Sequence, residues 1–195
     1  QMCIRDSFEK LAAQAEIISI SGSLPEGLPV DFYRQMMQVC HGKPVVLDCS
    51  GEALAEVLKG DVKPSLIKPN AEELAGLLGR SISTNVDDLK NTLSDAMFSG
   101  IEWIVVSLGS AGAFAKHQDK FYRVTIPKIA VVNPVGSGDA TVAGLTAAIA
   151  EAWSAEAILK QGNVLGMLNA QEATTGQVEL ANYQALFDQI QVEEV

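Results

Sequence analysis

Short apolar runs alternate with helical patterns over the first half of this chain, and that alternation constrains the fold more than any other feature. The runs cover residues 17–20, 44–48, 65–68 and 103–107, and their centres are apolar on both faces. Strands of that kind form mainly parallel sheets that helices cover on each side. The sequence therefore predicts an α/β fold, with ligands beyond the carboxyl ends of the strands.

The intervening segments carry the helical spacing of apolar residues. Predicted helices cover residues 31–41, 51–58, 71–78, a long stretch from 84 or 85 to about 98, 140–153, 155–171 and 182–189, and the end of a further helix covers 8–15. Residues 111–117 and 120–126 predict a hairpin. A strand at 129–132 is expected to lead into a glycine-rich turn.

That turn lies in the segment 131–144, VVNPVGSGDATVAG, which carries the strongest indication of chemistry. Gly136 and Gly138 let backbone N–H groups approach an anion, and a helix start adds the positive end of its dipole. Asp139 follows, where a carboxylate can accept a proton from an attacking hydroxyl in phosphoryl transfer. The same residues also suit an ordinary turn with Asp as a helix cap.

A dinucleotide site is disfavoured at this turn. The glycine after Gly138 is Gly144, so the spacing departs from G-x-G-x-x-G. Asp139 would also lie where a pyrophosphate rests and would repel it. A dehydrogenase is therefore a distant hypothesis.

Two further loops follow predicted strands. Lys68 is followed by Asn70 and Glu73, which share a helix face. That spacing fits a capping box, slightly favoured on spacing alone, or a site for hydrated Mg²⁺ and phosphate with Lys68 as a point charge. Ser107, Gly109 and Gly112 fit either tight turns or a backbone against which a nucleotide lies.

Composition excludes several classes of protein. The 195 residues suffice for one domain with a sizeable core, and the net charge of −10 argues against nucleic-acid binding. No apolar run is long enough for a membrane span. Cys3, Cys40 and Cys49 have no C-x-x-C spacing, so we expect reduced thiols and a cytoplasmic protein. Cys49 follows a predicted strand, where a buried thiol is favoured over contact with a ligand. Neither histidine has a neighbour at metal-ligand spacing.

Residues 1–7, QMCIRDS, are expected to be non-native. They resemble a translated sequencing-adaptor scar, and the helical pattern begins only near Phe8. Residues 8–195 are then expected to form a single domain.

The motifs together resemble the ribokinase-like, or PfkB, family of carbohydrate kinases. The segments that carry the resemblance are IKPNAEEL, SLGSAG and NPVGSGD, in that order. SISGSLPEGLP, VVLDCSGEAL and NVLGMLNAQE are similar to the tagatose-6-phosphate kinase branch, with 1-phosphofructokinases as near neighbours. The resemblance implies a three-layer α/β/α sandwich and ATP- and Mg²⁺-dependent phosphorylation of a ketohexose phosphate, as in lactose and tagatose metabolism.

The resemblance also implies roles for individual residues. Asp139 would be the catalytic base, and Gly136, Ser137 and Gly138 would form the anion hole for the γ-phosphoryl group. The remaining assignments fall into three groups: ATP at Lys68, Ser107, Gly109, Gly112 and Asn163; Mg²⁺ and phosphate, through water, at Asn70 and Glu73; and the sugar phosphate at Ser21, Gly22 and Ser23. The alternative for Asn163 is a plain asparagine on the helix surface.

Members of this family are longer at the N-terminus, where they carry further strands, sugar-binding residues and a β lid that commonly forms a dimer contact. We therefore expect this chain to be a C-terminal fragment, inactive on its own, of an enzyme that dimerises through the lid. The alternatives are a 1-phosphofructokinase and a non-catalytic nucleotide-binding regulatory domain.

Overall fold

The computed structural model describes residues 2–195, which divide into two compact units. The first unit ends at Val106, and the second spans Ser107–Val195. The first unit alternates helices and strands, in the order α1 (Met2–Ala12), β1 (Ile18–Ser21), α2 (Phe32–Gln38), β2 (Val45–Asp48), α3 (Gly51–Lys59), β3 (Leu66–Ile67), α4 (Ala71–Leu78), α5 (Val86–Leu93), a 3₁₀ turn (Ala96–Phe98) and β4 (Trp103–Ser107).

The strands of the first unit run parallel, as the alternation predicts. Ser21 pairs with Asp48 at the ends of β1 and β2, and Leu47 pairs with Ile67 between β2 and β3. Ile67 in turn pairs with Ile104 of β4. This register brings the residues that follow β1, β2 and β3 to the same edge of the sheet.

The core of the first unit consists of the strands and the apolar faces of their helices. Residues 45–47, 66–67 and 103–106 are all buried. Leu54, Leu74 and Leu89 pack beneath the helices with at most 1% exposure. Helices cover both faces of these strands, and burial on both faces favours β-branched and apolar side chains. This explains why the apolar runs form the strands.

The second unit begins with a 3₁₀ turn (Gly109–Ala111) and the hairpin of β5 (Ala113–His117) and β6 (Lys120–Thr125). The helices α6 (Ser137–Ala150) and α7 (Ala155–Ala170) follow, and then a 3₁₀ turn (Leu180–Asn182), α8 (Tyr183–Gln189) and β7 (Gln191–Glu194). β7 pairs antiparallel with β6. Leu145 and Leu159, from α6 and α7, are fully buried.

Three sequence predictions about elements are wrong. Residues 129–132 do not form a strand, and Val131 and Val132 remain 58% and 61% exposed. The predicted helix from 84 or 85 to 98 is interrupted, since α5 ends at Leu93 and a 3₁₀ turn follows. α1 spans Met2–Ala12, so the helix begins before Phe8, near which the helical pattern was expected to start.

The structure adds further details to these predictions. β7 was not predicted, and α6 begins at Ser137 rather than at residue 140. No helix in residues 2–195 combines the length and the apolar character that crossing a membrane requires.

Candidate functional site

In the first unit, a buried lysine lies at the carboxyl edge of the sheet. Lys68 directly follows β3 and is 7% exposed. Its Nζ lies 3.3 Å from Oδ2 of Asp48, the last residue of β2. Since a buried ammonium group is costly unless it is paired, Asp48 fixes where the Lys68 charge is held.

Asn70 and Glu73 form a complete capping box at the start of α4. The Asn70 Oδ1 accepts a hydrogen bond from the Glu73 N–H at 2.8 Å. The Glu73 Oε2 accepts one from the Asn70 N–H at 2.9 Å. The capping interpretation is therefore confirmed, and Oε1 of Glu73 takes no part in that box.

Cys49 lies next to these charges and is buried, as predicted. Burial raises the pKa of its thiol to about 12, and the carboxylates of Asp48 and Glu73 act in the same direction. A thiol with so high a pKa stays protonated near neutral pH. Cys49 therefore contributes packing here rather than a nucleophile. Cys40 is also a free, buried cysteine, whereas the side chain of Cys3 lies outside the described residues.

The segment assigned to the sugar phosphate lies at the end of β1. Ser21, Gly22 and Ser23 are all exposed. The Gly22 N–H donates to the Asp48 carbonyl at 2.9 Å, and the Tyr33 hydroxyl donates to the Gly22 carbonyl at 3.0 Å. The backbone of this segment is therefore held at the same edge as Asp48.

In the second unit, Gly136 forms the N-cap of α6 in a left-handed conformation, with φ of 88°. A Cβ at this position would come within 2.6 Å of Thr175 Cγ2 and 3.2 Å of the Gly176 nitrogen. Both the backbone conformation and the close approach therefore require glycine. The sequence explained this glycine by access to an anion or by an ordinary turn, and did not predict the close packing against Thr175 and Gly176.

The first turn of α6 keeps backbone donors open. No side chain caps this helix. The Ser137 N–H donates to Pro134 and the Ala140 N–H to Gly136, while those of Gly138 and Asp139 have no acceptor among residues 2–195. Asp139 lies in this turn and is exposed. Open N–H groups at a helix start are suited to bind an anion.

The segment assigned to the nucleotide has one residue with a clear structural role. A Cβ at Gly112 would lie 2.2 Å from the Val124 carbonyl oxygen, so the glycine lets the start of β5 approach β6. Gly109 has φ of 57° and nothing within 4 Å of where a Cβ would stand, and it is exposed. Ser107 is half-buried at the end of β4.

Asn163 lies inside α7 rather than on its surface. It is 9% exposed, and its Nδ2 donates to the Leu159 carbonyl one turn earlier at 2.8 Å. Its assignment to adenine stays a prediction.

Two sets of predicted residues lie together, one in each unit. Lys68, Asn70 and Glu73 lie together with Asp48 in the first unit, and Gly136, Ser137 and Gly138 lie with Asp139 in the second. Sequence reasoning assigned no role to Asp48, although it ends a predicted strand. It also missed Asn169, a fully buried polar residue near the end of α7, which no local pattern marks.

Oxygen ligands suited to Mg²⁺ are present in the first unit. Residues 2–195 contain no cluster of three or more His, Cys, Asp or Glu side chains that could hold a metal directly. The amide of Asn70 and the carboxylate of Glu73 offer the hard oxygen chemistry that Mg²⁺ accepts through its bound waters. These residues therefore fit a hydrated ion.

The parallel strands, the edge at Asp48 and Lys68 and the open helix start together define an α/β protein with two polar regions suited to phosphate chemistry. A family model described as "pfkB family carbohydrate kinase" matches residues 3–181. The chain belongs to this family.

Solved structures agree with that membership. A Staphylococcus aureus protein assigned as a phosphofructokinase is 28% identical, with a TM-score of 0.84, over 97% of this chain and 63% of its own. Escherichia coli phosphofructokinase-2, in complex with potassium, is 29% identical, with a TM-score of 0.84, over 94% of this chain and 61% of its own. The chain therefore spans just under two thirds of their length.

A third structure supports the fold alone. A Thermotoga maritima protein assigned as a possible 1-phosphofructokinase is 19% identical, with a TM-score of 0.84, over 98% of this chain and 61% of its own. The predicted ribokinase-like α/β fold is confirmed by these likenesses and by the family match.

Proposed function

We propose that this chain is the ATP-binding part of a sugar-phosphate kinase that transfers the γ-phosphoryl group of ATP to a ketohexose phosphate. The observation that carries the proposal is the start of α6, where open backbone donors and the exposed Asp139 lie in one helical turn. Membership of the pfkB family gives this turn its chemical context.

In this proposal Asp139 is the base. Its carboxylate takes the proton of the attacking sugar hydroxyl as the hydroxyl oxygen bonds to the γ-phosphorus and the bond to the β-phosphate oxygen breaks. The products are ADP and a sugar bisphosphate. The predicted anion hole at Gly136, Ser137 and Gly138 would stabilise the negative charge on the transferring group. The open N–H of Gly138 would contribute directly, whereas the Ser137 N–H already donates to the Pro134 carbonyl.

The remaining predicted residues would bind the nucleotide and its metal. Lys68 would place its ammonium near the ATP phosphates, while Asp48 holds that side chain in position. Asn70 and Glu73 would hold hydrated Mg²⁺, which neutralises phosphate charge. Ser107, Gly109, Gly112 and Asn163 would border the nucleoside.

For the acceptor we propose tagatose 6-phosphate, giving tagatose 1,6-bisphosphate, with Ser21, Gly22 and Ser23 near the sugar phosphate. Support comes from the segments similar to the tagatose-6-phosphate kinase branch. The alternative is a 1-phosphofructokinase, since a Staphylococcus aureus protein assigned as a phosphofructokinase matches this chain at 28% identity. We also propose that the enzyme is cytoplasmic and assembles as a dimer. For comparison, Escherichia coli phosphofructokinase-2 has a tetrameric inhibited form.

The test is a phosphoryl-transfer assay with Mg-ATP that detects sugar bisphosphate by mass spectrometry. Tagatose 6-phosphate, fructose 1-phosphate and fructose 6-phosphate are offered separately. The assay is run on this chain and on a version extended by its upstream coding sequence. We expect product from the extended version, fastest with tagatose 6-phosphate, and none from the 195 residues alone.

The second candidate, a nucleotide-binding regulatory domain, gives a different result. It would bind ATP and form no bisphosphate in either version. Asp139 disfavours it, because a protein that only binds ATP gains nothing from a carboxylate beside the phosphates.

A further inference from the structure

Asn169 is fully buried, and half of its amide has no hydrogen-bond partner. Its Nδ2 donates to the Gln177 carbonyl at 3.0 Å. Its Oδ1 has no partner among residues 2–195, although buried amide oxygens are nearly always hydrogen-bonded. The anchored Nδ2 fixes the amide group, so the position of the unpartnered oxygen is also fixed.

That oxygen lies against the glycine turn. It is 3.1 Å from where a Cβ of Gly136 would stand, next to Thr175 and Gly176. Asn169 therefore contacts the N-cap of α6 on one side and the segment that follows α7 on the other. We call residues 171–178 the C-terminal loop.

A second asparagine links the turn to the C-terminal loop from the opposite direction. The Asn133 Nδ2 donates to the Ala173 carbonyl at 3.2 Å, and its Oδ1 accepts from the Val135 N–H at 3.0 Å. The N–H groups of Val132 and Asn133 both donate to the Ala170 carbonyl. The turn is thus tied to the end of α7 and its loop at several points, of which Asn169 is one.

We infer that Asn169 is a positioning residue that holds the Gly136 turn in its anion-binding geometry, an inference that rests on the proposed function. It acts through the C-terminal loop and Gly136. Its unpartnered oxygen fits this role. A buried oxygen without a hydrogen bond costs stability, and an apolar side chain of similar size would avoid that cost, so packing alone does not explain the asparagine. Donors that stabilise a transferring group act only when they are held in place before the reaction.

The test compares Asn169→Leu and Asn169→Ala with wild type in the extended protein. The leucine variant removes the amide and keeps most of the volume, so it should lose less stability than the alanine variant. Both variants should lower kcat by roughly 10²-fold and leave KM for ATP within about twofold, as expected when reacting groups are misplaced. Asn85→Ala, which removes the N-cap of α5 in the other unit, is the control for lost stability and should keep kcat.

Amide hydrogen exchange gives a readout that does not require activity. In both Asn169 variants the N–H groups of Val135, Ser137 and Ala140 should exchange about tenfold faster, while exchange in the first unit is unchanged. A stable leucine variant with wild-type kcat would overturn the inference, as would unchanged exchange at the turn. If wild type forms no bisphosphate, the proposed function fails, and faster exchange would still show that Asn169 holds the turn.

Discussion

The starts of α4 and α6 solve the same problem in opposite ways. Each helix begins with backbone N–H groups that no helical carbonyl can satisfy. At α4, Asn70 and Glu73 satisfy them with their own side chains. At α6, Gly136 has no side chain to offer, and the N–H groups of Gly138 and Asp139 stay open.

The difference separates a stabilising helix start from one that can receive a ligand. A capping box uses local donors and acceptors and thereby stabilises its helix. An uncapped start gives up that stabilisation and leaves positive partial charge at the surface. A carboxylate in the first turn of a helix therefore has a different role in the two units: Glu73 completes a cap at α4, whereas Asp139 caps nothing at α6.

The largest effect should come from Asp139→Asn. Amide nitrogen and oxygen cannot take the hydroxyl proton, so kcat should fall by about 10²- to 10⁴-fold while ATP affinity is retained. The measurements are bisphosphate formation and ATP titration by calorimetry in the extended protein. Asp87→Asn is the matched control, since Asp87 also lies in the first turn of a helix, α5. Near-normal turnover of the Asp139 variant would contradict its role as base.

Gly136→Ala should have the next largest effect, on stability. The new Cβ would lie 2.6 Å from Thr175 Cγ2, and the alanine backbone would have to adopt φ of 88°. Strain and overpacking together should lower the free energy of unfolding by about 2–4 kcal/mol. Denaturant titration measures this loss.

Gly79→Ala serves as its control. Gly79 also has a positive φ, 64°, but nothing lies within 4 Å of its Cβ position. It should cost about 1 kcal/mol, the strain alone. Equal losses in the two variants would show that packing against the C-terminal loop contributes nothing.

Asn70→Ala should have a smaller effect. Loss of the N-cap should cost about 1 kcal/mol, whereas Asn70→Asp should keep the stability because Asp caps equally well. Asn85→Ala is a matched comparison, since the Asn85 Oδ1 also accepts from the backbone at 2.8 Å. The proposed phosphate role predicts reduced kinase activity in Asn70→Asp despite its stability. Unchanged activity in that variant would leave Asn70 as a cap alone.

The sequence predicts best where the deciding interactions are local. The predicted bounds of α4 agree with the structure, because Pro69 and the capping box mark its beginning within four residues. Strands β1 to β4 follow from their apolar runs. Residues 129–132 are similarly apolar, yet they form no strand, and Val131 and Val132 are exposed. An apolar composition alone does not determine whether a segment pairs with a neighbouring strand.

Features that depend on distant partners could not be predicted. β7 is short and polar, and only its pairing with β6 makes it a strand. The Lys68–Asp48 pair joins residues from neighbouring strands, and Asn169 contacts a turn more than 30 residues earlier in the chain. The predicted site residues in each unit were found from motifs, whereas the residues that hold them in place emerged only from the fold.

The smallest effects should appear at the two buried thiols of the first unit, Cys40 and Cys49. Burial raises the pKa of Cys49 to about 12 and that of Cys40 to about 11. Because both pKa values exceed that of an unfolded thiol, the contribution of the two thiols to the free energy of unfolding is complete below about pH 9 and is lost as the pH rises toward 11 and 12.

In the native protein both thiols should resist iodoacetamide at pH 8 and react after denaturation, as mass spectrometry would show. Asn70→Ala should speed alkylation of Cys49 but not of Cys40, since only Cys49 lies beside Glu73. An unchanged alkylation rate at Cys49 would mean that the capping box does not limit access to this thiol.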